Sequence, residues 1–186
     1  MYPTKMEANG RIYDIDTDYR TALACFRAIN DPEITDLERG YAVQTLLLGD
    51  NVLHEDEAIL NEKIQNYLRC GKEQNDNIDE IDFDYLQDEI YVKTSIRHCY
   101  NGLNLNEIGY MHWYEYNELI SGLTEDTIIN QIRNLRNMNP SEIKDEKERA
   151  KLIKAQERVA LKFEYPKTEE EKELDEYWDK VIERSW

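Results

Sequence analysis

From Asp18 onward the apolar residues of this chain recur at intervals of three and four, and most such runs open on a helix-capping residue and close on a helix stop. That pattern predicts a series of amphipathic helices. "DYRTALACFRAIN" sets Leu23 or Ala22 on one stripe with Phe26 and Ile29, and Asp16 or Thr17 is placed to accept from the first-turn amides. "TDLERGYAVQTLLLG" opens with Thr35 and Glu38 at capping-box spacing and closes at Gly49. "EDEAILNEKIQNYLRCG" has carboxylates in its first turn, repeats Leu60, Ile64 and Leu68 four apart, and ends at Gly71. Residues 72–84, rich in carboxylates and poor in apolar side chains, read as a solvated loop leading into a long helix, "FDYLQDEIYVKTSIRHCYN". Asn104 is expected to cap the next helix, which ends near Gly122, and "TEDTIINQIRNLRNM" follows until Asn139-Pro140 stops it. "EIKDEKERAKLIKAQERVALKF" then reads as a charged helix with a narrow apolar stripe, either Ile143, Ala150 and Ile153 or Leu152 and Val159. Thr168 and Glu171 form a further capping box near the end.

Before Asp18 the period is two. Asn9-Gly10, the pair that suits both left-handed positions of a type I′ turn, separates Met6 and Ala8 from Ile12 and Ile15, so a small hairpin is expected over about residues 1–16. The expected fold is mainly α: one domain of about 7–8 helices over residues 1–161, with residues 162–186 as an acidic amphipathic C-terminal helix or tail.

Charge narrows the partners. Forty Asp and Glu against 23 Lys and Arg leave a net charge of -17, the wrong sign for a surface that displaces counterions from nucleic acid. Cys25, Cys70 and Cys99 are odd in number and widely spaced, which suits neither a disulfide framework nor a zinc ribbon and points to a reducing compartment. No apolar run approaches the length of a membrane span, and no signal peptide is evident, so a soluble cytoplasmic protein is expected.

Motifs for chemistry are few. Asp14, Asp16 and Asp18 imitate the start of a calcium loop, but the sixth position is Tyr19 rather than glycine and the twelfth is Cys25 rather than glutamate. The acidic loop with Asp76, Asp79, Asp82 and Asp84 also lacks that glycine. His98 and Cys99, adjacent on a helix, point about 100 degrees apart and make a poor thiol and base pair. No phosphate-binding, dinucleotide-binding or zinc-protease motif occurs. The expectation is a protein that is not an enzyme, with no catalytic residue, no cofactor and no metal.

The densest feature is "GYMHWYEYNELISGL", residues 109–123. On a helical wheel His112, Trp113, Tyr116, Leu119, Ile120 and Leu123 fall within an arc of about 120 degrees, with Glu115, Asn117, Glu118 and Ser121 outside it. Such a stripe reads as core before it reads as a binding site, and a lone histidine on it as a packing residue before a ligand.

The same residues carry a resemblance. "MHWYEYNELISGLTEDT" resembles the His-Trp-Trp segment of the phage family known as gene product fifteen, from tailed siphophages of Gram-positive bacteria, with Tyr114 where that family has its second tryptophan. "NGRIYDIDTDYR" is similar to the start of that family, a glycine turn followed by an Asp-aromatic-Arg triplet, here Asp18, Tyr19 and Arg20. "EDTIINQIRNLR" and the lysine-rich helix ending in "VAL" are similar to its later half, with Arg136 at a recurrent arginine. The resemblance spans about residues 5–161. It implies a tail assembly chaperone, encoded beside the tape measure protein, that binds that protein in the host cytoplasm, helps recruit tail tube protein, forms an open homo-oligomer and is absent from the mature virion. A structural virion component and an acidic decoy of DNA are the alternative expectations. His112, Trp113, Tyr116, Ile120, Arg20 and Arg136 are then signature residues. Beyond the resemblance, nine acidic residues face four basic ones from Phe163 onward, and Tyr177, Trp178, Val181 and Ile182 are candidate partner-binding residues on one apolar face.

Overall fold

A computed structural model describes residues 1–72 and 81–162. Strands β1 (Lys5–Ala8) and β2 (Arg11–Asp14) form an antiparallel hairpin, followed by α1 (Tyr19–Ile29), α2 (Asp36–Leu48), α3 (Glu57–Leu68), α4 (Glu89–Cys99), α5 (Trp113–Ser121), α6 (Ile128–Asn137) and α7 (Glu146–Val159). The fold is therefore mainly α with an N-terminal hairpin, as the sequence predicts. Asn9 and Gly10 both take positive φ, 49° and 77°, and Ala8 pairs with Arg11 across them. Met6 and Ala8 face inward while Lys5 and Glu7 face solvent. α1 packs on α2 and crosses α5, α4 lies between α5 and α6, and α3 packs on α2 and β1. One contiguous core runs from Met6 through Leu47, Leu60, Val92, Ile96 and Leu105 to Ile129. α7 packs on α6 outside that core, with Leu152 as its one buried side chain. Polar bonds complete its docking: Gln156 Nε2 donates to the carbonyls of Leu135 at 3.0 Å and Met138 at 2.7 Å.

The Thr35 and Glu38 box forms as expected, and Gly49 ends α2 with φ 76°. Other boundaries move, each for a local reason. α1 is capped by Asp18, whose carboxylate accepts from the Arg20 amide at 2.9 Å, rather than by Asp16 or Thr17; Asp16 instead accepts from the Asp18 amide. Ile29 ends exposed at the last position of α1. The helix expected from Phe83 starts at Glu89, because Asp84 accepts from the Leu86 and Gln87 amides and closes a separate turn. α5 starts at Trp113 with His112 as its cap, while Asn104 organises the preceding loop by accepting from the Asn106 amide at 3.2 Å. α7 starts at Glu146, capped by Asp145, so Ile143 lies before it and Ala150 and Ile153 are exposed. Residues 73–80 of the acidic loop and the whole stretch 163–186, with the Thr168 and Glu171 box and Tyr177, Trp178, Val181 and Ile182, lie outside the described residues.

Candidate functional site

The signature residues fall into two joints that hold helices together. At the first, a single antiparallel rung couples Asp18 to His112: the Tyr19 amide donates to the Met111 carbonyl at 3.0 Å and the Trp113 amide to the Thr17 carbonyl at 2.8 Å. Arg20 seals this joint from outside, with its guanidinium donating to the carbonyls of Ile108 and, at 3.2 Å, Gly109 while pairing with Asp18. His112 is no part of the helical stripe drawn on the wheel. Its Nδ1 accepts from the Tyr114 amide at 3.0 Å and its Nε2 lies 3.0 Å from the Pro3 carbonyl, so a neutral ring protonated on Nε2 satisfies both atoms.

Trp113 and Tyr116 are fully buried. The indole N–H of Trp113 donates to the Leu68 carbonyl at 3.1 Å at the end of α3, and its ring packs against Phe26, Tyr85 and Tyr116. Tyr116 stacks on Tyr19 with centroids 4.6 Å apart. Among the described residues its hydroxyl has no hydrogen-bond partner, and burial raises its pKa above the ordinary phenol value. Ile120 is half-buried against the same core. The cluster thus joins α1, α3 and α5.

The second joint is built on Arg136. Its guanidinium forks onto the buried Asp88 carboxylate with two bonds of 2.7 Å, and also donates to the Asp82 carbonyl at 2.7 Å and the Val159 carbonyl at 2.7 Å. One side chain therefore ties the start of α4, the loop before it and the end of α7 to α6. Among the described residues Arg20 and Arg136 share no partner, so the signature residues are not gathered into one site.

A third hub was not foreseen. Asp56, fully buried before α3, accepts from Tyr13 Oη at 2.5 Å, Asn9 Nδ2 at 2.6 Å and Arg11 Nη1 at 3.0 Å, which fastens the hairpin to the helices. The Tyr13 hydroxyl, aided by Asn9 and Arg11, holds the Asp56 carboxyl below its ordinary value against the opposing effect of burial. A depressed folded pKa adds stability above the unfolded carboxyl value, and that stability is lost as pH falls through the folded value. Denaturant titrations between about pH 4 and pH 2 should therefore show a steep loss of stability in the natural chain and a shallower one in Asp56→Asn.

Reactive groups are muted. Burial pushes the Cys25 thiol up to about 12 and the Cys70 thiol to about 11, far from a thiolate nucleophile. Among the described residues no group of three or more His, Cys, Asp and Glu could hold a metal ion. What remains is surface. A cavity of about 450 Å³ opens between α2 and α3, lined by Leu37, Gly40, Tyr41 and Gln44 and rimmed by Asp36, Glu38 and Glu57. Another of about 530 Å³ lies beside α7 between Ile81, Met138, Pro140 and Ile153.

Fold and joints together define a helical protein whose distinctive residues hold its helices in place and whose open features include two surface cavities. Residues 2–161 match the family model described as Bacteriophage Gp15 protein, and the chain belongs to that family. This places it among phage structural and assembly-related proteins, a group that is not a known enzyme family. No curated protein and no solved structure matches it. Among the described residues, no helix is long and apolar enough to cross a membrane.

Proposed function

We propose that this chain is a tail assembly chaperone: it binds the tape measure protein in the host cytoplasm, keeps it soluble and helps recruit tail tube protein before leaving the maturing particle. The observation that carries this reading is the family match over residues 2–161. Physical features are compatible with it. A net charge of -17 keeps a protein soluble while it holds an aggregation-prone client. Exposed Leu37, Tyr41, Ile90, Ile128 and Met138 offer apolar contact area to an amphipathic partner helix.

A structural virion component is the competing role, and mass spectrometry separates the two. The chain should be abundant in infected-cell lysate and missing from purified particles; stoichiometric amounts in particles would favour the structural role. An acidic decoy of DNA draws less support. The carboxylates that the fold organises, Asp56, Asp88 and Glu38, face inward or cap a helix, and α7 displays cations.

A further inference from the structure

We propose that residues 174–182 of this chain fold back onto the flank of α7, seating Leu174, Trp178 and Val181 on the cavity beside it and setting Asp175 and Asp179 against Lys147 and Lys154. That cavity, of about 530 Å³, is lined by Ile81, Met138, Pro140, Ile153, Ala160 and Leu161. Ile81, Met138 and Ile153 all stand exposed on it. Large apolar side chains gathered on one concave surface favour an apolar face to cover them.

The point where the described chain ends argues for the occupant. Ala160 and Leu161 are part of the lining, and the next residue is clamped: the Lys162 amide donates to Gln87 Oε1 at 2.8 Å, and its carbonyl accepts from Gln87 Nε2 at 2.9 Å. Residues 163–186 therefore start at the edge of the cavity. The eleven residues from Phe163 to Glu173 can span up to about 35–40 Å, ample for a reversal of direction. The other stretch outside the described residues, 73–80, also adjoins the cavity at Ile81 but holds a single apolar residue, Ile78. The family match stops at residue 161, so the docking is not a property carried over from the family.

Charge and periodicity point the same way. Residues 144–162 carry seven basic and four acidic residues in a chain of net charge -17, and residues 163–186 carry nine acidic and four basic ones. Lys147 and Lys154 are exposed, and neither pairs with a carboxylate among the described residues, whereas Arg133 and Arg136 on α6 do. They lie about 120 and 100 degrees around α7 from Ile153, on the side where Ala150 falls; Glu157 is the one carboxylate lining the cavity. At helical spacing Leu174, Tyr177, Trp178, Val181 and Ile182 share one stripe, and Asp175 and Asp179 lie about 100 and 140 degrees around from Leu174. Lys180 and Arg184 fall on the opposite flank. Charge thus flanks the apolar seam at similar angles on both partners, the arrangement that pairs charges across a helix–helix contact. The docking is within one chain and stands whether or not the tape measure protein is the client. A partner helix that reaches Met138 has first to displace it.

The test is hydrogen exchange on the full chain, read at the amides of residues 174–182 and, as a check on the fold, at those of α4 and α5. At about 50 mM salt the segment should exchange at least about ten-fold more slowly than an unstructured chain. Ile153→Asp puts a carboxylate at an exposed position of the seat and should remove most of that protection, with α4 and α5 unchanged. Lys147→Glu with Lys154→Glu, or Asp175→Lys with Asp179→Lys, should each lower it at least about three-fold, and the four changes together should restore it. A segment that exchanges like an unstructured chain, or protection unmoved by Ile153→Asp and by the charge reversals, overturns the proposal. So does protection that grows with protein concentration, which would make a second copy the source of the segment.

Discussion

Replacing Trp113 with alanine should lower the unfolding free energy by about 3–5 kcal/mol, the range for truncating a fully buried large aromatic. Three losses coincide at that position. The cavity left behind is bounded by Phe26, Tyr85 and Tyr116, the Leu68 carbonyl loses its indole donor, and α5 keeps the Tyr114–Tyr67 stack but loses its hydrogen bond to the end of α3. Small domains are stable by only about 5–15 kcal/mol, so the variant should be near unfolding at modest urea. Trp113→Phe keeps most of the apolar volume and forfeits the hydrogen bond, and should cost about 1–3 kcal/mol less than the alanine variant. Urea midpoints of the two variants check this. An unchanged midpoint combined with lost partner binding would instead make Trp113 a contact residue.

Arg136→Met should cost about 3–5 kcal/mol by a different mechanism, the stranding of a buried carboxylate. Asp88 is inaccessible to solvent, and apart from Arg136 its carboxylate accepts from the Asp84 amide at 3.1 Å. Removing the guanidinium also frees the Asp82 and Val159 carbonyls, so the end of α7 should loosen along with the start of α4. The double variant Arg136→Met with Asp88→Asn removes the stranded charge. It should be less damaged than the single arginine variant by at least about 1 kcal/mol, a non-additivity that a denaturation cycle measures directly. Additive losses would show that Arg136 acts only through its carbonyl contacts.

These two residues illustrate what a sequence discloses and what it hides. Local devices are legible because all their parts lie within four residues: Asn9-Gly10 makes its turn and Thr35 makes its box with Glu38. The same local logic misplaces boundaries where several caps compete, as at Asp16, Thr17 and Asp18, or where a histidine serves as cap. A helical wheel begun at His112 puts that ring on the core face, one residue before the helix exists. Hubs built across the chain leave no local trace. Asp56 meets Tyr13 43 residues away and Asp88 meets Arg136 48 residues away, so among forty acidic residues nothing in the spacing marks these two as buried. Arg20 and Arg136 stand out in the sequence only through the family resemblance, and the structure supplies a physical reason for them in the carbonyls they gather.

The joints also suggest where a partner can act without dismantling the fold. Trp113, Tyr116, Asp56 and Asp88 are sealed inside, whereas Leu37, Tyr41 and the cations of α7 are exposed. Variants at those outer positions should change surface contacts with little effect on stability, since surface substitutions away from such hubs are usually worth less than about 0.5 kcal/mol.

Coexpression with the tape measure protein of the same phage tests the proposed function most directly. The chaperone reading predicts that the tape measure protein moves from the pellet to the soluble fraction and copurifies with this chain. A tape measure protein that stays insoluble, with no complex recovered while this chain remains folded and abundant, would contradict it.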